Sequence, residues 1–289
     1  MKTTLKSIIN HLFYKDVSFT AVNGEVKTLR KRRSLAPLIA LLVVCIIVIC
    51  FIVIDMPTNV RFSQFGVIFS KLFTPSKWSL KTWARYRSYI FNTAIPKIWS
   101  TIEMVGIATF IGTIISIPFY ILASSNIFTS KWVYLTVRAI LNVLRSIPTF
   151  VLAVFATVFF GFNETAGIVA MAFFTAGVLF KLMYEQIETC DMNPFEACKS
   201  AGATRMQSYA ISISPQIKPT LISNIIYIFE INVRASVILG FVGAGGIGQL
   251  LSDAIDSTQY DKVGAILIPL FIVVAALQLL SSYLRRKVQ

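Results

Sequence analysis

The sequence predicts an all-α integral membrane protein with about six transmembrane helices, and three observations carry that prediction. Of 289 residues, 56% are hydrophobic and only 14% charged, with a mean hydropathy of +0.72, which is too apolar for an ordinary soluble domain. Apolar runs near 20 residues occur at about 35–54, 98–122, 133–160, 165–184, 220–242 and 263–284. At about 1.5 Å per residue, such runs match a bilayer core of roughly 30 Å. Positive charge brackets the set: Lys27, Arg30, Lys31, Arg32 and Arg33 precede the first run, and Arg285, Arg286 and Lys287 follow the last.

The formal charge of +14 is therefore assigned to membrane topology and not to nucleic acid. It places both ends in the cytoplasm, which requires an even number of spans and puts the 185–218 loop on the same side. Residues 55–97 argue against this orientation, with Arg61, Lys71, Lys77, Lys81, Arg85, Arg87 and Lys97 against Asp55 alone, although long loops weigh less in the rule.

Residues 1–34 are a basic cytoplasmic segment in which Leu5, Ile8, Ile9, Leu12 and Phe13 fall at near-helical spacing among Lys2, Lys6 and Lys15. They suit either a helix lying on an anionic leaflet or a loosely ordered tail. The 35–97 segment supplies a first span and an extracytoplasmic loop. That span is expected to remain as an anchor, because no small-x-small site follows it before Asp55-Met56-Pro57. Residues 98–289 form the core. Its spans carry interruptions at Pro118, Pro148, Glu230 with Arg234, and Pro269, and such breaks are expected to face protein or a cavity, since freed backbone groups cannot be left against lipid.

Between two of these spans, residues 193–219 form a polar island bounded by prolines. Asn193 suits an N-cap with Pro194 at the first helical position, Gly202 suits a left-handed end, and Thr204 with Gln207 has capping-box spacing for a second helix. The expected unit is helix, glycine turn, helix, with Phe195, Ala197 and Ala201 on an exposed small face. Spacing alone leaves two readings, a docking element for another protein and a loop folded on its own spans.

Glu196-Ala197-Cys198, then Gly202, then Pro215 resembles the EAA loop of ABC importer permeases: Glu-Ala-Ala, a glycine four residues after the second alanine, and a proline thirteen after the glycine. Cys198 replaces the second alanine, and Ser212 and Ser214 stand where aliphatic residues are frequent. The resemblance implies the ABC importer permease fold in a bacterial-type cell membrane. It implies a coupling helix that docks on an ATP-binding cassette subunit through Glu196, Ala197, Gly202 and Ala203. Two stretches narrow it. Arg138-Ala-Ile-Leu-Asn142-Val-Leu-Arg145-Ser-Ile-Pro148 and the run from Tyr227 through Glu230, Arg234 and Gly240 to Gly248 are similar to those of phosphonate ABC transporter permeases. The implied partners are two ATPase copies holding ATP and Mg, an extracytoplasmic substrate-binding protein, a second permease subunit as a homodimer, and membrane lipid.

Read from the residues themselves, Glu230 and Arg234 each cost about 2.5–3.5 kcal/mol at a helix centre, and their i, i+4 spacing lets them pair. The pair either locks helices together or lines the pathway. Arg145 has no partner at helical spacing and is flanked by Asn142 and Ser146. It suits an oxyanion as well as it suits snorkelling to the interface, which is the expectation for Arg138. Gly243-Ala-Gly245-Gly246-Ile-Gly248 fits the dinucleotide pattern G-x-G-x-x-G but follows an apolar span instead of a strand. It is expected to form a flexible or tightly packed extracytoplasmic turn, serving as gate or hinge.

No Walker A pattern is present, no glycine precedes a lysine, and His11 is the single histidine, so no ATPase or His-based hydrolase is expected and the chain should hold no cofactor of its own. Cys45, Cys50, Cys190 and Cys198 have neither disulfide nor zinc spacing. The alternatives are a permease for phosphate, phosphite or methionine, a passive channel, and an intramembrane enzyme using Glu230.

Overall fold

The computed structural model describes residues 14–20, 26–32, 36–53, 62–73, 82–128 and 130–288. The chain divides into two compact units, one ending at Phe62 and the other beginning at Ser63, within the segment predicted as 35–97.

In the first unit, β1 (Tyr14–Thr20) and β2 (Val26–Arg32) form an antiparallel hairpin with register running from Tyr14 opposite Arg32 to Thr20 opposite Val26. A strand pair here departs from the helix or loose tail expected of residues 1–34. The helical spacing that motivated that expectation, Leu5 to Phe13, lies outside the described residues. The strands themselves are rich in β-branched and aromatic residues, and Asn23-Gly24, the dipeptide best suited to a tight turn, lies between them in sequence. α1 (Ala36–Val53) follows; its 18 residues contain no charge and reach about 27 Å at 1.5 Å each.

The second unit holds α2 (Phe62–Phe73), α3 (Trp83–Ala123), α4 (Lys131–Ser146), α5 (Thr149–Phe160), α6 (Glu164–Glu188), α7 (Asn193–Ser200), α8 (Arg205–Gly240), α9 (Gly246–Asp256) and α10 (Tyr260–Val288). Among the described residues, four helices, α3, α6, α8 and α10, are long and apolar enough to cross a membrane, and α4 with α5 makes a fifth span only as a broken pair. That gives four or five spans against the predicted count of about six, with α1 a shorter apolar helix, and the predicted single span at 133–160 is two helices meeting at 87°. The cause is Pro148. A residue preceding proline is driven out of the helical region, and Ile147 lies at φ −76°, ψ 122°. Proline alone does not decide this, since Pro118 sits within α3 and Pro269 within α10. Pro269 is buried, whereas Pro118 and Pro148 are exposed, so interruptions do not all face protein in the single chain.

α3 and α6 form the central pair, packed through Ala108, Gly112, Ala172, Thr175 and Ala176. Small residues let two backbones approach closely in place of a hydrophobic drive that lipid removes. A Cβ on Gly112 would stand 2.6 Å from the Ala172 carbonyl oxygen. α8 crosses this pair, and α10 packs along α8.

Candidate functional site

The polar island folds as helix, glycine turn, helix. α7 begins at Asn193 with Pro194 in its first turn, but Asn193 is not the cap. Met192 precedes it with near-helical backbone, and the Asp191 side chain accepts from the Asn193 amide at 3.0 Å. α7 ends in a Schellman turn: the Gly202 amide donates to the Lys199 carbonyl at 3.0 Å and the Ala203 amide to Cys198 at 3.2 Å, with Gly202 at φ +93°. Thr204 and Gln207 form a reciprocal capping box, with the Thr204 amide donating to Gln207 Oε1 at 2.9 Å.

Phe195, expected on the exposed face, is buried at 5% exposure in a cluster with Ile187, Tyr209 and Ile213. It anchors α7, and the opposite side carries Glu196, Ala197, Ala201 and Gly202 into solvent with Ala203 half-buried. Met206 and Ile211 extend this face at 60% and 65% exposure. Glu196 makes no hydrogen bond or ion pair among the described residues. The unit is wired to its surroundings: Arg205 donates to the Ile127 carbonyl at 3.4 Å, and Gln216 Nε2 to the carbonyls of Asp191 at 3.1 Å and Ser212 at 3.0 Å. Cys190, beneath α7, has its thiol pushed up by burial.

The second helix of the island does not stop at its prolines. α8 runs on for 36 residues, through a π-helical turn at Tyr209–Ile213 and past Pro215 and Pro219. A proline removes one amide and crowds the preceding turn; the wider π turn absorbs the mismatch, with the Ser214 amide reaching Tyr209 and the Ser212 hydroxyl donating to Ser208 at 2.5 Å.

Higher on α8, Glu230 is 7% exposed and shared. One carboxylate oxygen pairs with Arg234, as the spacing predicted. The other accepts from Ser281 Oγ at 2.8 Å and lies 3.5 Å from Arg285 Nη2, both on α10. Arg285, expected only as a topological flank, thus ties α10 to α8. Glu230 lines a cleft of ≈ 410 Å³ whose walls are Gly106 and Phe110 of α3, Ile225 and Phe229 of α8, and Leu277 and Leu280 of α10. Asn232 is a site residue that the sequence does not single out. It is fully buried, and its Nδ2 donates to Thr109 at 3.0 Å and Thr175 at 2.8 Å, joining α3, α6 and α8, while Oδ1 has no partner. No periodicity marks such a residue; only the cost of an unpaired amide in a span signals it.

Arg138 pairs with Glu188 at the end of α6, donates through Nε to the Ala123 carbonyl at 2.8 Å, and stacks on Tyr184 at 4.5 Å. Arg145 and Asn142 are exposed on α4, and neither makes a hydrogen bond or ion pair among the described residues. They are not brought together with Glu230 and Arg234 in this chain.

At the far end of α8, the glycine run is packed and not loose. Gly243, Gly245 and Gly246 hold φ of +76°, +78° and +72°, which glycine adopts without strain. A Cβ on Gly240 would fall 2.2 Å from Gly248 backbone. The Ile247 amide donates to Thr101 Oγ1 at 2.8 Å, and Lys97 bridges Glu164 at 2.7 Å beside the turn. Of the two turns expected, flexible or tightly packed, the structure has the second.

The profile of the binding-protein-dependent transport system inner membrane component family matches residues 116–289. A putative phosphite transport system permease protein of Stutzerimonas stutzeri is 37% identical over 185 residues, 64% of this chain and 66% of the relative. A putative cryptic phosphonate transport system permease protein of Escherichia coli is 38% identical over 117 residues, 40% of this chain and 96% of the relative. The chain thus spans slightly less than two thirds of the phosphite relative's length. In structure it is similar to a chain of the MetNI methionine ABC transporter in an inward-facing conformation, with TM-score 0.59 and 27% identity, covering 68% of this chain and 96% of that one. A multi-pass chain carrying this profile over more than half its length belongs to the binding-protein-dependent transport system inner membrane component family, the ABC importer permeases.

Proposed function

We propose that this chain is the permease subunit of an ATP-driven importer for phosphonates or a closely related phosphorus oxyanion. It works as a homodimer with two ATP-binding cassette subunits and an extracytoplasmic binding protein, with both termini and α7 in the cytoplasm. The observation that carries the reading is α7 itself. Phe195 fixes it from below, and Glu196, Ala197 and the Gly202 turn stand exposed above. A short helix held rigidly with its small face in solvent has the form of a helix-in-groove ligand.

ATP and Mg are held by the partner, and this chain supplies the lever. ATP binding draws the two ATPases together and moves α7. Because α8 is continuous from Arg205 to Gly240, displacement at the Gly202 turn is delivered to Glu230 and to the Gly243–Gly248 turn. The ion pairs of Glu230 with Arg234 and Arg285 keep α8 and α10 moving as one, and the packed glycines give the outer end a backbone that can reseat between close-fitting positions. Asn142 and Arg145, exposed and unpartnered, supply donors whose fork geometry suits a tetrahedral oxyanion where two chains meet.

The cargo follows from the Arg138–Pro148 and Tyr227–Gly248 stretches and from relatives named for phosphite and phosphonate. Its test is ATP hydrolysis by the reconstituted assembly with its ATPase and binding protein, titrated with an alkylphosphonate, phosphite, phosphate and methionine. Stimulation by the phosphonate or phosphite is expected. Stimulation by methionine alone would discard the cargo and keep the importer, and failure of any ATPase to assemble would overturn the coupling role.

A further inference from the structure

We infer that the C-terminal end of α10 and the facing turn of α8 form a second anion site, one that takes a phosphoryl oxyanion on Arg286 and Arg285 with the hydroxyl of Ser282. This site is separate from α7 and from the apolar cleft beside Glu230, and it does not rest on the coupling or cargo reading.

Among the described residues, a cleft of ≈ 270 Å³ is lined by Ser223, Ser282, Arg285 and Arg286. Its two guanidiniums belong to the basic last turn of α10, Arg285-Arg286-Lys287, where a polar headgroup or aqueous anion can reach them. Arg285 is pre-positioned. Its Nε donates to the Ser281 carbonyl at 3.4 Å, its guanidinium carbon lies 5.5 Å from the centre of the Tyr227 ring, and Nη2 is 3.5 Å from Glu230. Glu230 is the carboxylate that competes for it, and that carboxylate is already taken by Arg234. Three arginines, Arg234, Arg285 and Arg286, against one carboxylate leave a net charge of +2 at this end of the helix pair. Arg286 makes no hydrogen bond or ion pair among the described residues.

A guanidinium offers paired parallel N–H groups that match phosphoryl oxygens, and a hydroxyl completes the tetrahedral face. The chemistry is shared by free phosphate and by the headgroup of an anionic phospholipid. Neutral solutes and cations are excluded by the same charges.

The test uses the full chain in two arms. In nanodiscs of neutral lipid, equilibrium binding of radiolabelled inorganic phosphate is measured without any binding protein. In nanodiscs of mixed phosphatidylglycerol and phosphatidylcholine, the lipids retained per chain are counted by native mass spectrometry. The variants are Ser282→Ala with Arg286→Gln, the conservative Arg286→Lys, and Lys131→Gln as a cation removed elsewhere. Arg285 is left intact because its loss would strand Glu230. One saturable phosphate per chain assigns the site to the free anion, and selective retention of phosphatidylglycerol assigns it to the lipid. In the arm that shows it, Ser282→Ala with Arg286→Gln weakens binding at least about tenfold, the loss expected for charge-assisted hydrogen bonds; Arg286→Lys weakens it less, and Lys131→Gln leaves it unchanged. The inference is overturned if neither arm shows saturable binding, or if Lys131→Gln lowers it as much as the double variant.

Discussion

The chain contains two proline-bearing joints of opposite behaviour. At Pro148 the helix breaks and turns by 87°. At Pro215 and Pro219, α8 continues unbroken. The difference lies in what is done with the freed backbone groups and not in the prolines. Before Pro215 a π-helical turn widens the ladder, and Ser212 and Gln216 put side-chain donors onto nearby carbonyls. Before Pro148, Ile147 is extended, and the new helix restarts with the Val151 amide donating to the Pro148 carbonyl at 2.9 Å. A repaired joint transmits displacement and a broken one absorbs it. That is why the proposed mechanism assigns the lever to α8, which starts at the α7 turn.

The largest effect is expected where the lever meets α10. Glu230→Ala removes at one stroke the shared acceptor of Arg234, Arg285 and Ser281 and so unties α8 from α10, although solvent screens part of the loss because the Arg234 side chain is 48% exposed. Thermal unfolding of the detergent-solubilised chain should register this loss, whereas Arg145→Ala, removing an exposed and unpaired charge, should leave the midpoint near wild type. Equal effects would mean that Glu230 is not structural.

Phe195→Ala comes next, at about 3–5 kcal/mol for deleting a buried aromatic side chain. Its loss should release α7 specifically: amide hydrogen exchange should rise across 193–203 while α3 and α6 stay protected. Exchange rising throughout would place Phe195 in the global core and remove the separate anchor.

Gly202 gives a smaller and sharper test. A Cβ there meets nothing within 4 Å, so the cost of substitution is conformational, about 1–2 kcal/mol for an ordinary L residue held at positive φ. Gly202→Val should insert and fold yet take up less solute per ATP hydrolysed, and Gly202→Asn, whose side chain tolerates that backbone, should recover much of the coupling. Normal uptake by Gly202→Val would count against the lever. The smallest effect is at the joints themselves. Pro148→Ala should narrow the 87° angle, read as a longer spin-label distance between positions 131 and 160, and Pro215→Ala should leave the path of α8 unchanged.

What the sequence made legible was local. Gly202 and the Thr204–Gln207 box were readable because both are rules about neighbours within a turn, and the apolar spans because length and composition decide them. The Glu230–Arg234 pair was readable for the same reason, being one helical turn apart. Arg285 on Glu230, Glu188 on Arg138, and Thr109 and Thr175 on Asn232 were not, since each joins residues 50 or more apart along the chain, where no spacing rule applies. Phe195 was misplaced because a short helix offers too few residues for its buried face to be told from its exposed one. The hairpin was not foreseen, because the helical pattern read in the N-terminal segment, Leu5 to Phe13, precedes it and lies outside the described residues.

The central claim is that the exposed face of α7 meets an ATPase. It is tested most directly by placing a photo-crosslinking amino acid at Ala197 in the intact assembly, with Trp132, 85% exposed on α4, as the comparison site. The account predicts a covalent adduct with the ATP-binding subunit from position 197, altered in yield when ATP is bound, and none from position 132. Absence of an adduct at 197, or equal adducts at both positions, would contradict it.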